Sequence, residues 1–118
     1  MIYAINILTG LVAFLHIYFL ILEMFLWDKP VGLKTFSHSK KNAALTKTLA
    51  MNQGLYNGFL AAGLIWGLVL GAEGETIKLF FLCCVVIAGI FGGLTANRKI
   101  LLIQAFPAML TLVLLMLS

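Results

Sequence analysis

The chain has 118 residues, of which 63% are hydrophobic and only 10% charged. This composition excludes an ordinary soluble domain and is typical of membrane proteins. The formal net charge is +4, but the basic residues lack the aromatic and basic pattern of nucleic-acid binding. We therefore expect the lipid bilayer, and no nucleic acid, as a partner.

The first apolar run covers residues 2–26 and has neither the basic start nor the small-residue cleavage site of a signal peptide, which predicts a retained membrane span. His16 and Glu23 are seven residues apart and would lie on one helical face, about 20° apart. Two interpretations stay open. The pair forms a proton-handling or ligand-binding face, or Glu23 is solvated at the interface and His16 is a packing residue.

The one long polar segment covers residues 28–47 and contains five lysines together with His38. It opens with the turn signals Pro30 and Gly32. We expect a solvated loop on the cytoplasmic side, with a short amphipathic helix along the membrane surface as the alternative.

The second predicted span, residues 48–71, begins with an amide-rich stretch. That stretch carries four polar side chains: Asn52, Gln53, Tyr56 and Asn57. A carboxamide in hydrocarbon must find a partner, so such residues usually face a bundle interior or a cavity. Gly54 and Gly58 form a GxxxG arrangement that predicts close packing of another helix. The amides therefore either join helices or line a binding site.

The third and fourth predicted spans cover residues 77–96 and 100–117, separated by a basic turn at residues 97–99. Small residues at four-residue spacing in the third span predict close helix packing. The fourth span carries Gln104 near its beginning, and Pro107 predicts a kink there.

The distribution of charged loop residues predicts the orientation. Five lysines in residues 28–47, together with Arg98 and Lys99, face two glutamates, Glu73 and Glu75, in the intervening loop. Because basic loops stay in the cytoplasm, both termini are predicted to lie outside. We expect an all-α fold, a single four-helix transmembrane bundle over residues 1–118 in the plasma membrane.

In that topology the polar side chains converge on the cytoplasmic half of the membrane, while the outer half is expected to be almost wholly apolar. We predict a polar pocket that opens toward the cytoplasm. Its candidate ligand-binding residues are Asn52, Gln53, Tyr56, Asn57, Thr95 and Gln104.

Several stretches of the chain resemble one family. They are Asn-Gln-Gly-Leu-Tyr-Asn-Gly-Phe-Leu-Ala at residues 52–61, Gly92-Gly93, and Gln104 with Pro107-Ala108. Over nearly its whole length the chain resembles the bacterial membrane-protein family called domain of unknown function 1304, and His16 and Glu23 fit that pattern. The resemblance implies a four-helix membrane protein and no particular reaction.

The favoured functional hypothesis is a membrane-embedded enzyme or binding protein for a small lipophilic molecule. Glu23 would serve as general acid or base and His16 as proton relay. The alternatives are a small proton-coupled transporter that works as an oligomer, and a structural or accessory membrane subunit. No common catalytic motif and no metal-ligand spacing occurs, so we predict no metal or cofactor and leave enzymatic activity and homo-oligomerisation open.

Overall fold

A computed structural model describes residues Met1–Ser118. The chain contains helices and no strand, which confirms the predicted all-α class. There are five helices: α1 (Ile2–Met24), α2 (Pro30–Thr35), α3 (Lys40–Val69), α4 (Glu75–Thr95) and α5 (Arg98–Leu117). A 3₁₀ turn, Gly71–Gly74, precedes α4, and Gly71 takes the left-handed backbone conformation (φ 64°) that glycine adopts without strain.

Three of these helical segments are long and apolar enough to cross a membrane: Ile2–Met24, Gly71–Thr95 and Arg98–Leu117. The ends of the helices α1, α4 and α5 differ by at most two residues from the three corresponding predicted spans, and the 3₁₀ turn Gly71–Gly74 extends the second segment beyond its predicted start. The helix α3, which contains the second predicted span, is not among the three, because lysines and carboxamides occupy its first half. The count of four membrane-spanning helices is therefore not confirmed.

The chain divides into two compact units, and each is described here by itself. The first unit consists of Met1–Leu15 and Leu60–Ser118, and the second of His16–Phe59. The prediction of a single four-helix domain stays a prediction.

The first unit has an apolar core to which α1, α3, α4 and α5 all contribute. Its buried residues are Ile5, Val12, Ala13, Leu64, Leu82, Val85, Val86, Ala108 and Leu115. Small residues bring α4 and α5 together, since a Cβ built on Gly89 would lie 2.8 Å from the backbone nitrogen of Ala105. In α5 the segment Leu101–Ala105 is a π-helical turn immediately before Phe106 and Pro107. Proline lacks an N–H and its ring crowds the preceding turn, which explains the irregular turn at this position.

The second unit joins the end of α1 to the first half of α3. A Cβ on Gly54 would lie 2.6 Å from Met24 Cγ and 3.2 Å from the backbone oxygen of Leu20. A Cβ on Gly58 would lie 2.7 Å from Leu20 Cδ1. The GxxxG arrangement therefore does bring another helix close, as predicted, and that helix is α1.

The basic segment 28–47 is largely helical rather than the loop that the sequence predicts, and its position in solvent or along a membrane surface stays a prediction. Pro30 opens the short helix α2, and Lys40 already begins α3, where the Ser39 hydroxyl accepts a hydrogen bond from the Asn42 amide at 3.1 Å. Proline suits a first helical turn and serine suits an N-cap, which explains both starts.

Side-chain contacts hold the part of this segment before α3 against the first turns of that helix. The Trp27 indole donates to Thr46 Oγ1 at 3.0 Å, and Lys47 pairs with Asp28 at 3.1 Å. The ring of His38 meets the Trp27 ring edge-on, with centroids 4.5 Å apart. These contacts fold residues 28–38 back onto the first turns of α3, where they form a folded cap.

Candidate functional site

The second unit brings together two of the predicted site residues, Glu23 and Asn57. Asn57 Nδ2 donates a hydrogen bond to Glu23 Oε1 at 2.5 Å, across 34 residues of sequence. Both side chains are half-buried. An acidic residue in the last turn of α1 and an amide in the middle of α3 thus form one polar contact between two helices.

Gly54 explains how the two groups reach each other. It lies nearly one turn before Asn57 on α3, and a Cβ there would lie 3.2 Å from Glu23 Cβ. Without that Cβ the two helix backbones approach closely enough for a short carboxamide to reach the carboxylate.

The contact leaves hydrogen-bonding capacity open. Each of the two side chains makes one hydrogen bond, which is the bond to the other. Glu23 Oε2, Asn57 Oδ1 and one N–H of Asn57 therefore have no protein partner. A carboxylate can accept several hydrogen bonds and an amide oxygen two. The site therefore presents mainly acceptors to any molecule that approaches it.

The other predicted residues of α3 lie outside this contact. Asn52 is exposed and donates to Thr48 O of its own helix at 3.1 Å. Gln53 is exposed, and it precedes Asn57 by about one helical turn. Tyr56 is exposed beside Phe59, with ring centroids 6.2 Å apart.

The remaining candidates are distributed over both units. His16, in the second unit, is buried, and its ring meets Phe19 edge-on at 5.8 Å. Thr95 and Gln104 belong to the first unit. Thr95 is exposed and donates to Phe91 O at 2.7 Å, while Gln104 is half-buried within the π-helical turn. Their roles in ligand binding stay predictions.

The sequence analysis missed one polar contact, between Lys78 and Asn6 in the first unit. Lys78 Nζ donates to Asn6 Oδ1 at 3.1 Å, and Lys78 is only 2% exposed. The sequence analysis assigned no role to these residues at the starts of α4 and α1. The available signal was the presence of an ionisable residue inside an otherwise apolar predicted span.

These features define a class: a small all-helical protein with three helices suited to a membrane and polar contacts between its helices. The family described as "Protein of unknown function (DUF1304)" matches residues 10–116. The chain belongs to this family, as its resemblance in sequence implied. It is also 32% identical over 109 residues to "Uncharacterized protein YpaA" of Lactococcus lactis subsp. lactis (strain IL1403), covering 91% of this chain and 92% of the relative. No solved structure matches the chain.

Proposed function

We propose that the protein is an integral membrane protein of the bacterial plasma membrane that binds a small lipophilic molecule at Glu23 and Asn57. Four helices, α1, α3, α4 and α5, cross the bilayer. The termini lie outside, and residues 28–47 and 97–99 face the cytoplasm. The excess of basic residues in these two segments supports this orientation.

The length of α3 supports its role as the second span. At about 1.5 Å per residue, its residues 48–69 extend about 33 Å, enough for a hydrocarbon core of ~30 Å. The lysines of α3 all precede this stretch, where they reach the aqueous interface.

The observation that carries the proposal is the half-buried carboxylate with one oxygen bonded and one open. A carboxylate near hydrocarbon is costly unless hydrogen-bond donors satisfy it. Asn57 supplies one donor, and a bound molecule would supply another. The favoured ligand is therefore lipophilic and carries a hydroxyl or amine, and Gln53 lies about one turn away to assist.

An enzymatic role would use the same geometry. Asn57 orients the Glu23 carboxyl through one oxygen, and the other oxygen is placed to exchange a proton with a bound molecule as general acid or base. His16 would serve as a relay on the same helix. Binding comes first in either case, so binding is the property to test.

The test is to purify the full chain from its native membrane in mild detergent and to identify co-purifying small molecules by mass spectrometry. The variants are Glu23→Gln and Asn57→Leu, and the matched control is Asn52→Ala, whose amide bonds only within α3. We expect one species in the wild type and the control, reduced at least tenfold in both variants. Equal amounts in all four proteins, or no species in any, would contradict the proposal.

A proton-coupled transporter is the second candidate, and the contact between Lys78 and Asn6 favours it. Alternating access needs polar groups in both halves of the membrane. In the proposed orientation Glu23 and Asn57 lie toward the cytoplasm, and Lys78 and Asn6 toward the outside. A Leu68→Cys variant that a reagent added outside labels only with substrate present would support transport, and labelling independent of substrate would count against it.

A further inference from the structure

Lys78 is a buried ammonium group without a carboxylate partner. The residue is 2% exposed, and its ammonium donates a hydrogen bond to the neutral oxygen Asn6 Oδ1. The ion pair of the structure joins Lys47 and Asp28, and Glu75, on the same helix as Lys78, is exposed. A buried charge without an opposite charge is expensive. An anion from outside the chain would remove this cost.

The fold makes specific room for Lys78. A Cβ built on Gly67 would lie 2.6 Å from Lys78 Cγ and 3.1 Å from its backbone nitrogen. A Cβ on Gly74 would overlap the backbone oxygen of Gly67. The two glycines thus let α3 and the turn before α4 pack closely beside the Lys78 side chain. A larger residue at Gly67 would meet Lys78, and one at Gly74 would meet the backbone of Gly67.

Asn6 determines which groups remain free. Its carbonyl oxygen accepts from Lys78, so its NH₂ group has no protein partner, and the side chain is half-buried rather than enclosed. An ammonium has three donors and an amide NH₂ has two. The groups that the two residues leave unbonded are therefore mainly N–H donors, the chemistry that binds oxyanions.

The two residues lie near the ends of their helices. Lys78 is in the first turn of α4 and Asn6 in the second turn of α1. For helices that cross a bilayer, these positions are near the boundary between the hydrocarbon core and the lipid headgroups. We propose that Lys78 and Asn6 bind a phosphate oxyanion, with the ammonium as its counter-charge and the amide NH₂ as a second donor. The phosphate is that of a phospholipid headgroup or free inorganic phosphate.

The sharpest variant is Asn6→Asp. It is nearly isosteric and places a carboxylate beside the ammonium, so the chain supplies its own counter-charge and should no longer bind phosphate. Lys78→Met removes the charge while keeping an unbranched stem against Gly67. Lys34→Met, which removes an exposed lysine of α2, is the control for net charge.

The experiment uses the full chain in maltoside detergent, stripped of phospholipid, and measures binding by native mass spectrometry and thermal shift. The probes are dioleoyl-phosphatidylglycerol, dioleoylglycerol, which lacks phosphate, and inorganic phosphate. We expect the wild type and Lys34→Met to bind the phospholipid but not dioleoylglycerol, and Asn6→Asp and Lys78→Met to bind it at least tenfold more weakly. Competition by millimolar inorganic phosphate would identify the free ion as a ligand, and its absence the headgroup.

The proposal is overturned if the wild type binds neither phosphate probe, or if Asn6→Asp binds the phospholipid as the wild type does. It does not depend on the Glu23 site. Loss of the lipophilic ligand in Glu23→Gln would leave the expected phosphate binding unchanged. Loss of phosphate binding in Asn6→Asp would leave the expected binding of the lipophilic molecule at Glu23 unchanged.

Discussion

Each of the two units contains an asparagine bonded to a charged side chain on another helix, but the two bonds run in opposite senses. Asn57 donates its N–H to the carboxylate of Glu23, whereas Asn6 accepts through its oxygen from the ammonium of Lys78. A glycine near each pair, Gly54 or Gly67, provides the necessary space.

The difference shows how one residue type serves two kinds of site. A carboxamide has both a donor and an acceptor end, and the charged partner determines which end is used. Around Glu23 the groups left over are mainly acceptors, which suit a hydroxyl or amine. Around Lys78 they are donors, which suit an oxyanion. The same amide thus supports opposite ligand chemistry in the two units.

The largest expected effect is a loss of stability when a closely packed glycine is replaced. Comparing one such glycine from each unit tests which unit is packed more rigidly. Gly89→Ala should lower the free energy of unfolding by about 1–3 kcal/mol, because the new Cβ meets the Ala105 backbone, which cannot move aside. Gly54→Ala should cost less, since its nearest neighbour is a side-chain atom, Met24 Cγ at 2.6 Å, and the backbone oxygen of Leu20 is farther away at 3.2 Å. Thermal unfolding in one detergent measures both.

Gly10→Ala is the control for this comparison, because a Cβ there meets nothing within 4 Å. It should leave stability unchanged or slightly raised, as alanine favours a helix over glycine. A Gly89→Ala variant as stable as Gly10→Ala would show that the two helices are not in close backbone contact at this position.

The next effect concerns the polar pairs. Asn57→Leu should destabilise the protein by about 1–2 kcal/mol, because it leaves the Glu23 carboxylate without its donor. Glu23→Leu combined with Asn57→Leu should recover most of that loss, since removing both partners leaves no unsatisfied group. A double-mutant cycle by chemical denaturation measures this coupling.

The same cycle on Asn6 and Lys78, with leucine and methionine as replacements, tests whether the two pairs are energetically alike. We expect a coupling of about 0.5–2 kcal/mol in each unit, the range of polar contacts between membrane helices. A coupling near zero in one unit alone would mean that its two side chains are close together without stabilising the fold, and the comparison would fail there.

The smallest effect comes from the exposed ion pair of the folded cap. The hydrogen bond from Lys47 lowers the pKa of Asp28 below its ordinary value of 3.8. A lowered pKa means that the stabilisation is present above pH 3.8 and is lost as the pH falls through the lowered value. Asp28→Asn should therefore differ slightly from the wild type near pH 7, and the difference should vanish in acid and shrink in high salt.

Chemical denaturation at several pH values measures this difference. Glu73→Gln is the matched control, because Glu73 is exposed and forms no ion pair. A difference for Asp28→Asn that persists below the lowered pKa would show that the variant acts through something other than the ion pair.

The contact between Glu23 and Asn57 joins two of the predicted site residues, and the residues that lie elsewhere do so for physical reasons. Glycines at four-residue spacing and an amide in an apolar run indicate a close helix contact, and the Gly54 contact and the bond between Asn57 and Glu23 follow that pattern. Asn52 did not join them, because its amide is satisfied by Thr48 O in the preceding turn. Residue spacing does not show whether an amide will form such a local hydrogen bond or a contact with another helix.

The sequence by itself determined the all-α class, the limits of three apolar helices and the family. These depend on local hydropathy and on short motifs, both of which can be read along the chain. Only the tertiary structure decided that residues 28–38 fold back onto the start of α3 and that Lys78 meets Asn6, 72 residues away. Such pairings depend on which helices approach each other in space. The free-energy cost of burying a charge such as that of Lys78 therefore depends on the partner that the tertiary structure places beside it.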